Sequence, residues 1–269
     1  VTVAVGTIGW SGPTSAAADA QAARAWLAAE TGNVTTAALA AVHHEAMDEL
    51  VAIAEALMPW LEADARLAEA AALARAGVTS PVPRHRAVSA RILSRVHDLT
   101  GEFDEALDRA REAVAAGGDR PQAAAVNQLG NVLVRLGRLE EAAATYADAV
   151  RLARDDADAR GVGRFLGNLA SVEYARGDLA AAVDHYRGAL ATSESVADLA
   201  NVGTLCTNLA DLHLAREELP DAGRMAARAL EIDQAMVIDC TCRDTSPPWA
   251  TSRRARDGTT RPRSCSTGR

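Results

Sequence analysis

Between Ala123 and Leu230 one pattern is written three times, and that repetition limits the fold more than any other feature of the chain. Leu129, Gly137, Ala142, Tyr146 and Ala149 recur 40 residues later as Leu169, Gly177, Ala182, Tyr186 and Ala189. The third copy keeps Leu209, Ala222 and Ala229, with Glu217 in the place of the glycine. A fainter copy, Leu93, Gly101, Ala106 and Ala113, stands 36 residues ahead of the first. A fixed period of this size marks stacked supersecondary units, each able to bury its apolar face only against its neighbours.

The units read as helix pairs, at about 84–99 with 102–116, 123–136 with 139–153, 160–176 with 179–194, and 199–215 with 218–234. Each first helix ends at Gly-Glu, Gly-Arg or Gly-Asp (Gly101, Gly137, Gly177), where glycine supplies the left-handed residue that closes a helix. The small residues Ala106, Ala142, Ala182 and Ala222 let the helices of a pair approach closely, and Tyr146 and Tyr186 fill the space toward the next pair. Upstream, residues 18–83 form a helical section. Trp26 and Leu27 lie on a first helix that Thr31-Gly32-Asn33 should end, and Thr35 or Thr36 should start a second. A third, from about His44 to Leu61, meets Pro59, which should kink or end it, and a fourth runs from about Glu62 to Ala76. Residues 1–17 read as a disordered lead-in.

Composition sets further bounds. Aromatic residues are 3% of the chain while hydrophobic ones are 49%, so the core is built from Ala, Leu and Val, which suits helix on helix. All 28 basic residues are arginine, and the absence of lysine reflects a GC-rich coding sequence. The net charge is −8, yet from Thr241 onward seven arginines face only Asp244 and Asp257, so the first 240 residues carry −13. Direct nucleic-acid binding needs clustered cations and is not expected of such a body. No membrane span or signal peptide is legible at the N-terminus. Residues 235–269 are rich in Arg, Ser, Thr and Pro without apolar period and read as a disordered basic tail. That break, with no polar capping helix before it, fits a frameshift or a truncated gene. Cys206, Cys240, Cys242 and Cys265 imply no disulfide framework, and a cytoplasmic location is expected.

These repeats resemble the tetratricopeptide repeat. Its W-x₂-L-G-x₂-Y and A-x₃-F signature is met by Val126-x₂-Leu129-Gly130 with Ala142-x₃-Tyr146, by Leu166-x₂-Leu169-Ala170 with Ala182-x₃-Tyr186, and by Cys206-x₂-Leu209-Ala210 with Ala222-x₃-Ala226. The leading Trp and closing Pro are absent, and the period exceeds the usual one. Residues 18–234, including Trp26-Leu27-Ala28-Ala29-Glu30 and Leu57-Met58-Pro59-Trp60-Leu61, are similar to the sensor arms of AfsR/SARP-type and related NB-ARC regulators of actinomycetes. In that family a DNA-binding module and an ATPase module precede the arm. Neither is legible here: no G-x-x-x-x-G-K-[ST] occurs, and a chain without lysine has no P-loop lysine.

Candidate chemistry is sparse. His43-His44-Glu45 lacks the His-Glu-x-x-His spacing of a zinc helix, Cys240-x-Cys242 has no second pair, and His97, His185 and His213 have no nearby nucleophile. No catalytic residue, metal or cofactor is expected. The resemblance implies that the first helix of each pair lines a concave groove. Gln128, Asn168 and Asn208 share one register position there, Arg164 stands one turn before Asn168, and Asn131 and Asp211 fall on a neighbouring line. Amides beside an arginine either grip a peptide backbone or carboxylate, or bond to the adjacent repeat and fix the stack.

The expectation is therefore an all-α, right-handed superhelical solenoid of antiparallel helix pairs that binds a protein or peptide and is no enzyme. Three roles remain open: the sensor arm, whole or truncated, of a signalling or transcriptional regulator; a stand-alone adaptor; or part of a nucleotide-dependent STAND-type regulator whose ATPase module is missing. The last pair, with Leu219, Met225 and Leu230, should leave apolar surface exposed and favour self-association.

Overall fold

The computed structural model describes residues 20–41 and 46–244. The expectations for residues 1–17, for His43, His44 and Glu45, for the tail past 244 and for the side chains of Cys240 and Cys242 lie outside the described residues. Every regular element among the described residues is an α-helix. Contacts divide the chain into two units, Glu30–Asp233 and a second made of Val1–Ala29 with Gln234–Arg269. In the second unit, 20–29 belong to α1 (Ala20–Ala41) and 234–244 to α11 (Leu219–Asp244), so helix continues past the expected boundary at 234.

The larger unit starts with the rest of α1, then α2 (Met47–Ala63) and α3 (Leu67–Val78). Four helix pairs follow: α4 (Pro83–Thr100) with α5 (Phe103–Ala116), α6 (Ala123–Arg135) with α7 (Leu139–Asp155), α8 (Ala159–Ala175) with α9 (Leu179–Ser195), and α10 (Leu199–Ala215) with α11. Within the second and third pairs, Gly137 and Gly177 turn the chain at φ 72° and 84°, and Glu217 holds the same place in the fourth at φ 59°. In each turn the next amide donates back into the preceding helix, Arg138 N to Leu133 O, Asp178 N to Glu173 O and Glu218 N to His213 O, all at 2.9 Å. Between pairs, Ala157 and Ala197 take the left-handed conformation, at φ 55° and 52°. An aspartate follows each of three such turns and caps the next helix: Asp158 accepts from Gly161 N, Asp178 from Ala181 N and Asp198 from Asn201 N.

Packing within and between pairs follows the repeat. Ala142, Ala182 and Ala222 are buried. The Tyr146 ring lies on Gly130 of α6 so closely that a Cβ there would stand 2.6 Å from Cε1. Leu169 and Val172 of α8 then cluster with Tyr146, as Leu209 and Leu212 of α10 cluster with Tyr186. The second and third pairs are thus each covered by the first helix of the next.

Three upstream expectations are corrected. Thr31-Gly32-Asn33 does not end a helix, nor do Thr35 or Thr36 start one; α1 runs through all of them. Thr31 is buried and its hydroxyl accepts from Trp60 Nε1 at 3.0 Å, while Thr36 Oγ1 donates back to Gly32 O at 2.8 Å, so tertiary packing overrides weak local propensity. Pro59 does not end α2, which continues to Ala63 because Leu61 is buried and Trp60 is anchored on Thr31. The chain breaks instead at Ala65, with φ 55°, and Gly77 lies inside α3, where a Cβ would meet Ser89 Oγ of α4 at 2.1 Å. Leu50, Leu61, Leu73, Val88 and Ile92 form one cluster, which seats α2 and α3 on the first pair.

Gly→Ala should therefore have opposite signs at two helical sites. At Gly130 the clash with a buried ring costs about 1–3 kcal/mol, more than the helix-propensity gain, and the thermal midpoint falls. At Gly223, where a Cβ meets nothing within 4 Å, the gain of up to about 1 kcal/mol stands alone and the midpoint rises. Thermal denaturation of Gly130→Ala and Gly223→Ala checks both.

Candidate functional site

A polar groove of about 370 Å³ opens where the first helices of the first three pairs face one side. Helix α4 contributes Arg91 and Arg95, α6 contributes Asn127, Gln128 and Asn131, and α8 contributes Arg164, Phe165 and Asn168. The lining holds three arginines and no carboxylate. Four of the residues singled out by sequence, Gln128, Asn131, Arg164 and Asn168, meet here. Asp211 lines a separate groove farther along, and Asn208 lines neither.

The hydrogen bonds sort these side chains by role. Ser94 Oγ donates to Ala106 O at 2.8 Å, Gln128 Nε2 to Ser94 Oγ at 3.3 Å, Asn131 Nδ2 to Gln128 Oε1 at 3.2 Å, and Tyr146 OH to Asn131 Oδ1 at 2.8 Å. This chain ties the first pair to the second, so Gln128, which is buried, and Asn131 are spent on fixing the stack. Burial pushes the Tyr146 phenol above its ordinary value and keeps it a neutral donor. Asn168 Nδ2 donates to Asn127 Oδ1 at 2.8 Å, spanning the next junction at the groove surface.

The arginines differ as well. Arg95 is held by Glu62 at 2.5 Å and Asp98 at 2.9 Å, and Arg91 by Glu55 at 2.5 Å. Arg164 is exposed, rests its guanidinium 5.3 Å from the Phe165 ring centroid, and has no carboxylate partner among the described residues. Burial pushes the Arg91 guanidinium below its usual value; Glu55 opposes this and the like charge of Arg164 adds to it. Arg91 Nε is buried without a hydrogen-bond partner among the described residues. The groove thus offers an anion one unpaired cation, a second held by Glu55 whose Nε has no hydrogen-bond partner among the described residues, and two half-buried amides. Arg91, Arg95 and Asn127 were not singled out by sequence. Shifting the first copy by 36 rather than 40 places Arg95 in register with Asn131 and Arg91 with Asn127, and that signal was available.

The sequence model of the tetratricopeptide repeat matches residues 121–195 and again 161–235. Residues 121–235 are tetratricopeptide repeats. No curated protein matches the chain. Among solved structures, BtubC (BKLC) from P. vanneervenii is similar over 92% of this chain and 99% of its own, with 18% identity and a TM-score of 0.66. PilF of Pseudomonas aeruginosa covers 79% of this chain and 95% of its own, at 20% identity and a TM-score of 0.54. Aspartyl phosphate phosphatase F of Bacillus subtilis covers 87% and 63%, at 13% identity and a TM-score of 0.57. At these identities the likeness is one of fold alone: an all-helical solenoid of the tetratricopeptide kind. No helix among the described residues is long and apolar enough to cross a membrane.

Away from the groove, His213, Glu218 and Asp221 bring ligand atoms within 4.8 Å of one another. His213 Nδ1 is already spent, donating to Glu218 Oε2 at 2.6 Å across a tetratricopeptide turn. His97 and Glu102 make the same clasp at 2.5 Å in the first pair. The arrangement is thus a recurring turn fastener. The hydrogen bond from His213 holds the Glu218 carboxyl below its ordinary value, and His97 does the same, foremost, for Glu102. A carboxyl depressed by folding stabilises above its unfolded value, and that contribution is lost as pH falls through the folded value. Glu218→Gln should lower the denaturation midpoint at about pH 7, with the difference from the parent narrowing as pH falls below the ordinary glutamate range; urea melts at neutral and acidic pH check it.

Proposed function

We propose that the chain is a peptide-binding tetratricopeptide scaffold whose polar groove takes an acidic segment of a partner protein, and that it works as the sensing arm of a signalling or transcriptional regulator. The observation that carries the binding reading is Arg164, an exposed guanidinium with no acidic partner among the described residues, set beside Asn127 and Asn168 near the half-buried Arg91. An incoming carboxylate meets Arg164 without displacing an existing ion pair and gains charge-assisted hydrogen bonds from it. The regulator role rests on the resemblance of residues 18–234 to such arms, and the packing of α2 and α3 onto α4 supports it by making the upstream section continuous with the array. A stand-alone adaptor would use the same groove.

Charge-assisted hydrogen bonds are worth about 1.5–3 kcal/mol. Arg164→Glu should therefore weaken binding of a labelled Glu-rich decapeptide about 10-fold to 100-fold while leaving the thermal midpoint unchanged, and the parent's affinity should fall as salt rises. Fluorescence anisotropy of the two proteins reads this, and equal affinities would overturn the acidic-ligand reading.

A further inference from the structure

The fourth pair breaks the repeat at one core position. Where the second and third pairs carry Tyr146 and Tyr186, the fourth carries Ala226, and the space those rings fill is open there as part of an apolar groove of about 500 Å³ between α10 and α11. Leu214, Leu219 and Leu230 line it and are 52%, 65% and 57% exposed. Met225, by contrast, is half-buried against the core. The face is the translational equivalent of the ones that α8 covers on the second pair and α10 covers on the third. Its geometry therefore already specifies a seated helix with apolar residues at helical spacing, and the missing ring specifies that this helix brings a bulky side chain of its own. The charged residues lining the groove are Asp211 and Asp233, both exposed, with no basic residue among the lining. A second copy of this chain is a poor occupant, because the first 240 residues carry −13 and would meet like charge.

We propose that this groove docks an amphipathic helix of a different protein, one with an aromatic or leucine side chain for the space left by Ala226 and basic residues beside its apolar stripe. The site is separate from the polar groove and does not rest on the reading given to it. The partner helix adds to the array as the next first helix would, burying Leu214 and Leu230, and its cations face Asp211 and Asp233.

A fluorescein-labelled peptide of residues 159–175 is a suitable probe, because α8 is the helix that covers the equivalent face and carries Phe165, Leu166 and Leu169 with Arg160 and Arg164. The full chain should bind it saturably. Ala226→Tyr, which restores the repeat's own ring, and Leu230→Glu, at an exposed position, should each weaken binding by about tenfold or more. A peptide with both arginines changed to glutamate should bind the parent similarly weakly. Arg164→Glu in the protein should leave peptide binding unchanged. Absent binding, or equal affinity for the parent and both groove variants, overturns the proposal. So does a concentration-dependent dimer of the parent, seen by sedimentation, that Ala226→Tyr dissolves, since the groove would then belong to a second copy.

Discussion

Each of the first three helix pairs carries an apolar face that the next pair's first helix covers, and every other feature depends on that contact. The chain has few aromatic rings to fill space, so covering is achieved by bringing backbones close. Gly130 under Tyr146, Gly77 against Ser89 and Gly167, where a Cβ would meet Leu205 at 2.9 Å, are the places where a side chain has been left out so that another helix can approach. Stability in such an array is a sum of nearest-neighbour terms, so a change at one junction acts on that junction first.

Polar groups serve the same junctions from the exposed side. Buried amides and hydroxyls must find partners, and Ser94, Gln128, Asn131 and Tyr146 find them in one another across two pairs. The register that sequence offered for a binding groove therefore carries two roles at once. Residues deepest in the cleft fix the stack, while Asn127, Arg164 and Asn168 line its mouth.

The repeat region was legible because its period, its glycines and its buried alanines all mark the same units. The upstream section was not, because Thr31, Gly32 and Pro59 break helices only where nothing outweighs their local cost. Here the hydrogen bond from Trp60 to Thr31 and the burial of Leu61 outweigh it, and both depend on contacts between residues about thirty positions apart. The left-handed alanines at 157 and 197 were equally hidden, since alanine gives no local sign of that conformation and the aspartates after them act as caps only once the turn exists. Of the groove, sequence marked the amides that repeat at a 40-residue spacing and passed over Arg91, Arg95 and Asn127. The first copy is offset by 36, and a search at one fixed period misses what that pair contributes.

Two grooves of opposite character lie on one array, and the repeat explains why. A junction covered by a neighbouring helix leaves only the mouth of the cleft open, so what it can offer a ligand is polar and is set by the first helices alone. At the fourth pair the cleft itself is open, so what it offers is the apolar interior that earlier junctions hide, edged by Asp211 and Asp233. Substituting alanine for tyrosine at 226 would be a loss of packing at any covered junction, since removing a buried aromatic costs about 3–5 kcal/mol. At this face there is no neighbouring first helix among the described residues for the ring to pack against, so that part of the cost is absent and the space becomes room for another protein's side chain. One residue position is thus a structural ring in two repeats and a vacant socket in the next, with the difference set by what lies beyond it in the stack.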